Sequence, residues 1–334
     1  MKEAYLYKKL DNDKVRCDLC NHRCIIENES RGKCCVRKNI DGKLYSLVYR
    51  KLIAENSDPI EKKPLFHFLP GTYSLSIATV GCDFKCFFCQ NFNISQVPCD
   101  LDRIEGRNVS PEEIVNHALA NGDKSISYTY TEPTVFFEYA YDTAKLASKK
   151  GLKNVFVTNG FMTKECLLKI ESFLDAANVD LKSFSDEIYR KKIGGRLKPV
   201  LDNIILMKES GIWVEVTTLV IPGINDSEKE LKQIADFLAG IDISMPWHIS
   251  AYYPQYKSDI PPTGIDQIKS AVKIGKDAGL KYVYGGNIPG SEYENTYCPN
   301  CDGILIERHG FSISSNKIKD GCCYNCGQKI DGIF

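Results

Sequence analysis

Three cysteines fall within the eleven residues "GCDFKCFFCQN" (81–91): Cys82, Cys86 and Cys89, with gaps of three and two residues and no fourth cysteine following at ligand spacing. A structural zinc takes four protein ligands, usually from paired C-x2-C knuckles. Three thiolates with an unfilled position suit instead a four-iron, four-sulfur cluster, held through three irons and offering the fourth to an exogenous ligand. Cys298, Cys301, Cys323 and Cys326 form two C-x2-C pairs separated by 21 residues, which is zinc-ribbon spacing. An auxiliary iron–sulfur cluster is the alternative for that set, which Cys322 adjoins. Cys17, Cys20, Cys24 and Cys34 crowd the N-terminus and could close around a metal of open identity, with His22 or Cys35 as substitutes. Cys99 and Cys166 stand alone and are expected to be small buried hydrophobes or plain thiols.

The 334 residues include 15 cysteines and an apolar fraction of 43%, enough to bury a core. Lys plus Arg and Asp plus Glu each number 43, so no overall field draws the chain to nucleic acid or to an anionic membrane. Neither is expected as a partner. The opening residues lack the apolar stretch of a secretory signal, and no run approaches membrane-spanning length. Cytoplasmic placement is the expectation, and in a reducing compartment cysteines clustered at such gaps read as metal ligands.

The elements that must position these residues alternate. Strand candidates occur at 72–81, 125–130, 153–160, 176–182, 212–220, 247–253 and 281–286, and helical stretches separate most of them. One helix is expected to begin after Ser110 as N-cap, with Pro111 at its first position. Repeated βα units predict a parallel sheet, open or closed into a barrel, with function at the C-terminal strand ends. Cys82, Glu132, Asn159 and the pair Asp180 and Lys182 lie at the ends of the first four strands.

On these motifs the chain resembles the radical SAM superfamily, whose C-x3-C-x2-C signature, with an aromatic before the last cysteine, stands here as Cys82, Cys86, Phe88 and Cys89. The resemblance implies a [4Fe-4S] cluster that binds S-adenosylmethionine at its open iron and cleaves it reductively to a 5'-deoxyadenosyl radical. It implies an α/β fold, a partial (β/α)6 TIM-like barrel. Residues 72–285 look like the activating-enzyme branch, which includes the activase of pyruvate formate-lyase. The branch's GGEP segment reads "YTEP" here, keeping Glu132 and Pro133 after Thr131 and losing both glycines. "VTNGF" matches its T-N-G strand end at Asn159, with Val157 where an Asp is common. "VDLKSFSDEIYRKKIGG" matches its D-L-K segment at Asp180 and Lys182, and "TLVIPGIND" (218–226) its fifth-strand loop. Near the sixth strand, Tyr253 replaces the branch's histidine, and His248 is as compatible with packing as with ligation. The implied cofactor-binding residues are Phe88, Thr131, Glu132, Asn159, Asp180 and Lys182, with Glu132 and Asp180 facing the methionyl ammonium and Lys182 its carboxylate.

The cysteine-rich ends refine the resemblance. "CDLCNHRCIIENESRGKCCVR", "GGNIPGSEYENTYCPNCDGILIERHGF" and "GCCYNCGQKIDGIF" are together similar to the AmmeMemoRadiSam group of radical SAM enzymes. The division expected is a Cys-rich segment at 1–70, the radical SAM core at 71–286 and a zinc-ribbon-like segment at 287–334. Implied partners are an electron donor such as flavodoxin or ferredoxin, and companion Memo-like and AMMECR-like proteins. Hydrogen abstraction from an unidentified substrate is the expected activity. Installation of a glycyl radical on a partner enzyme and a non-catalytic metal-binding adaptor are the alternatives.

Overall fold

An open eight-stranded sheet carries the molecule. In the computed structural model, which describes residues 1–288 and 292–334, its first strand is β1 (Ala54–Pro59). Then come β2 (Tyr73–Ala78), β3 (Ser125–Tyr128), β4 (Lys153–Thr158), β5 (Ala176–Asp180), β6 (Trp213–Val220), β7 (Trp247–Ala251) and β8 (Val283–Gly286). These lie side by side in chain order, with β1 and β8 at opposite edges. Strands β2 to β8 are parallel, whereas β1 runs antiparallel to β2. Six βα units followed by a seventh parallel strand make the expected partial barrel. The edge strand β1 comes from inside the 1–70 segment.

Helices α1 (Pro111–Asn121), α2 (Phe137–Lys149), α3 (Lys164–Ile170), α4 (Leu197–Glu209), α5 (Glu228–Ile241) and α6 (Ile265–Asp277) connect the parallel strands. Their faces follow the 3.6-residue period: α5 buries Leu231, Ile234, Ala235 and Leu238. Ser110 caps α1 as expected and shares a reciprocal capping box with Glu113, and Gly122 closes the helix in the left-handed conformation. No described helix is long and apolar enough to cross a membrane.

The N-terminal residues form two small antiparallel sheets whose core is continuous with that of the barrel. A buried ion pair fastens them to α2, with Arg37 donating to both Glu138 carboxylate oxygens at 3.1 and 2.6 Å. Cys35 and Cys99 are joined in a disulfide. This corrects two expectations: Cys35 is not spare for a metal, and Cys99 is not an isolated thiol. The two lie 64 positions apart in the chain, so no local spacing announced the bond. Cys166 is buried in the main core as expected.

At the other end, β9 (Ile304–His309) and β10 (Ser312–Asn316) form a hairpin over a second, smaller core containing Phe66, Tyr284, Leu305, Ile306 and Ile330. This segment spans the gap between the sheet edges. Arg308 donates to the Phe66 carbonyl at 2.9 Å, His67 bonds the Asp331 carbonyl at 2.7 Å, and Phe68 bridges to Ile333. Residues 289–291, within the quoted "GGNIPGSEYENTYCPNCDGILIERHGF", lie outside the described residues.

Candidate active site and metal centres

The cysteine loop leaves the C-terminal end of β2 and is gripped from two sides. Gly81 has a φ of +109°, and a Cβ there would stand 2.7 Å from Val36 of the N-terminal segment. Across the loop, a Cβ on Gly195 would meet the Phe84 ring at 2.4 Å, so the second glycine of "KKIGG" is what lets that ring pack. The Lys85 amide donates to the Ile193 carbonyl at 2.8 Å. Among the described residues, Cys82, Cys86 and Cys89 do not form a close thiol group of the kind found at the C-terminus. Burial pushes the Cys86 thiol up to about 12, so it becomes a thiolate only when a cation takes the proton's place.

All three cysteines line a cavity of about 870 Å³, within the size range of small-molecule sites. Its wall includes Phe88, Thr131, Glu132, Val157, Asn159, Asp180, Lys182, His248 and Tyr253, together with Lys62 and Lys63 following β1 and Gly286 of β8. The strand ends therefore converge on one space that reaches both sheet edges. Lys182 donates to Asp180 at 3.0 Å. Burial opposes the charge on Lys182, but the Asp180 carboxylate outweighs it and holds the group above its ordinary value. The backbone of Lys182 is fixed from both sides: its amide donates to the Tyr189 hydroxyl at 3.1 Å, and its carbonyl accepts from Asn225 at 2.8 Å. Those two interactions account for "DEIY" and "GIND" lying beside the site.

Glu132 and Asn159 are largely committed to internal hydrogen bonds. Glu132 Oε1 accepts from the Thr134 amide and from the hydroxyls of Thr134 and Thr158 at 3.1, 2.6 and 2.8 Å, and Oε2 accepts from the Asn159 amide at 2.8 Å. Only Oε2 retains room for a further donor. Burial, then the nearby Asp83 charge, pushes this carboxyl up to about 7. Asn159 spends its side chain on Asp83 Oδ1 at 2.7 Å and the Phe161 amide at 2.9 Å. Thr131 donates to the Thr79 carbonyl at 2.8 Å. The lost glycines are compensated locally, because Tyr130 itself adopts a left-handed φ of 61° and its hydroxyl is anchored on Asp58 at 2.5 Å. His248 is packed: it is buried, bonds Glu215 at 2.6 Å and stacks on Tyr284. Tyr253 is exposed at the rim, where its hydroxyl donates to the Asn287 carbonyl at 3.3 Å.

The C-terminal cysteines are set differently. The thiols of Cys298, Cys301, Cys323 and Cys326 all lie within 4.8 Å of one another, with Cys298 to Cys326 at 3.6 Å and Cys301 to Cys323 at 3.7 Å. A tetrahedral zinc with Zn–S bonds of ~2.3 Å spaces its thiolates by ~3.8 Å, so this set fits a single zinc ion. Four irons inserted between the thiols would force them apart. Cys17, Cys20, Cys24 and Cys34 all line a second, small cavity with His22 and Arg37, without the close convergence of the C-terminal set. Sequence reasoning missed Asp83, a buried carboxyl raised by burial whose Oδ2 has no partner, and the lysines after β1. Asp83 sits inside the cysteine motif, where nothing in the local sequence distinguishes it from a solvated loop carboxylate.

The sequence model of the radical SAM superfamily matches residues 76–238. The chain belongs to the radical SAM superfamily. Members are enzymes, and the family implies a [4Fe-4S] cluster and S-adenosylmethionine; three thiols without a fourth, lining a cavity that also carries an Asp–Lys pair, fit both. An uncharacterised protein of Methanocaldococcus jannaschii is 47% identical over the whole of both chains. A putative glycyl-radical enzyme activating enzyme of the same organism is 29% identical over 63% of this chain and 78% of its own. Pyruvate formate-lyase 1-activating enzyme of Escherichia coli is 21% identical over 47% of this chain and 65% of its own. Among solved structures, Streptococcus suis SuiB bound to S-adenosylmethionine superposes with a TM-score of 0.52 at 15% identity, covering 68% of this chain and 53% of that one. That likeness supports the radical SAM barrel as a fold.

Proposed function

We propose that this radical SAM chain reductively cleaves S-adenosylmethionine and abstracts hydrogen from a substrate bound in the barrel cavity. The observation that carries the reading is one cavity lined by Cys82, Cys86 and Cys89 together with the Asp180–Lys182 pair. The three thiolates would hold the cluster, leaving its fourth iron for the methionyl group. Lys182 would bind the methionyl carboxylate, and Asp180 with Glu132 Oε2 the ammonium. When bound, cluster and cofactor supply one-electron cleavage of a carbon–sulfur bond. Asn159 acts by holding Asp83 and the cysteine loop in place, and Phe88 and Thr131 shape the wall. A cytoplasmic flavodoxin or ferredoxin is the proposed electron donor, and Memo-like and AMMECR-like proteins the proposed companions.

A glycyl-radical activase is the second reading, favoured by the relatives that carry that name. Anaerobic protein supplied with dithionite should form 5'-deoxyadenosine, and Cys82→Ala with Cys86→Ala and Cys89→Ala should abolish it. Persistent formation in the triple variant would overturn the assignment. Transfer of a radical to a partner polypeptide, read as a glycyl EPR signal, would select the activase.

A further inference from the structure

The N-terminal cysteines form a cavity of their own outside the barrel. Cys17, Cys20, Cys24 and Cys34 line it with Leu19 and Ile26. Cys17 and Cys34 are buried, and none of the four is in the disulfide. The fold gathers them deliberately. Cys17 and Cys24 face one another across a hairpin, the Cys17 amide donating to the Cys24 carbonyl at 2.9 Å. The loop to Cys34 passes Gly32, where an added Cβ would stand 3.8 Å from the Cys24 thiol.

Arg37 supplies a second, independent observation. It is 2% exposed and lines the same cavity. Its terminal nitrogens are spent on Glu138 and the Val135 carbonyl, whereas its Nε has no partner. A buried guanidinium nitrogen left unpaired beside four thiols lacks a hydrogen-bond acceptor, although Glu138 already balances the charge. An iron–sulfur cluster with four thiolates is anionic and accepts hydrogen bonds on its sulfurs, which answers that deficit.

The spacing distinguishes the kind of metal. The C-terminal thiols stand 3.6 and 3.7 Å apart, as one zinc demands, whereas the N-terminal thiols form no such close group. In that respect they match Cys82, Cys86 and Cys89. We propose that Cys17, Cys20, Cys24 and Cys34 bind a second, fully protein-ligated [4Fe-4S] cluster, with Arg37 Nε donating to it. It neighbours the cysteine loop of the barrel: His22 bonds the Asp83 carbonyl at 2.9 Å, and Asp83 Oδ1 lies 3.9 Å from the Cys82 thiol.

The test leaves the proposed site untouched. The variant Cys82→Ala, Cys86→Ala, Cys89→Ala, reconstituted anaerobically with iron and sulfide, should keep about four irons and four sulfides per chain, against about eight of each in the wild type. Adding Cys17→Ser and Cys24→Ser should remove the remainder while zinc stays constant. A triple variant without iron, or a second zinc per chain, would overturn the proposal. A second measurement uses the wild type alone: S-adenosylmethionine should perturb the EPR signal of only one of two reduced clusters, because only one has an open iron. A single signal shifted in full, with about four irons per chain, would equally overturn it. Loss of S-adenosylmethionine cleavage with iron retained leaves the proposed function and this inference separately readable.

Discussion

Four thiols at the C-terminus crowd within 4.8 Å of each other, while the three of Cys82, Cys86 and Cys89 form no such close group and line a cavity of about 870 Å³. The first arrangement is closed, since each thiol can point at one ion and nothing else is required. The second is open, and the wall beyond it carries the charges of Asp180 and Lys182. A closed site stabilises a fold, and an open one binds a reactant. The two regions therefore ought to fail in different ways when cut.

Replacing Cys301 and Cys326 by Ser should have the largest effect on stability. The protein should lose its zinc and more than about 4 kcal/mol, the range associated with a lost metal site. Calorimetry and metal analysis would check this, and any folded fraction should still cleave S-adenosylmethionine. If stability is unchanged, the closed half of the comparison is wrong. A smaller effect is expected from His67, whose imidazole burial pushes down to about 4 while it bonds Tyr284 and Asp331 across the seam. The unfolded chain takes up a proton near pH 6.5 and the folded one does not until about pH 4. Stability should thus be full above pH 6.5 and decline by up to about 3 kcal/mol as pH falls to 4. A urea series compared with His67→Gln should show this slope in the wild type alone.

Lys182→Met tests the open half. S-adenosylmethionine affinity should weaken roughly ten- to hundredfold, the worth of one charge-assisted hydrogen bond, with iron content unchanged. Equilibrium binding to the reconstituted enzyme reads it out, and unaltered affinity would detach the Asp180–Lys182 pair from the cofactor. Least affected should be Ser110→Ala, which removes the α1 cap at a cost of about 1 kcal/mol and alters neither metal content nor binding. A change in either would show that the two regions are coupled through the barrel.

Much of this was legible in the sequence because its signals are local. Seven strand candidates became the seven parallel strands, and Ser110 with Pro111 opened α1, since period and capping depend on neighbours alone. Cys82, Cys86 and Cys89, Asp180 and Lys182 meet in one cavity because each follows a strand end. What stayed hidden depends on distant partners. Glu132 is expected to face the methionyl ammonium, and its internal donors from Thr158 and Asn159 were hidden because they lie one βα unit away. The Cys35–Cys99 bond, the Arg37–Glu138 pair and β1 as the antiparallel edge have no signature at short range.

The seam between the sheet edges also sets an order of events during synthesis. His67 waits for Asp331, 264 residues later in the chain. At ribosomal rates of about 5–20 residues per second, that interval is roughly 10 to 50 s. The barrel's side thus stays uncovered while β2 to β8 emerge and pair, so its interior remains reachable to small inorganic species until the C-terminal hairpin arrives and shuts the seam.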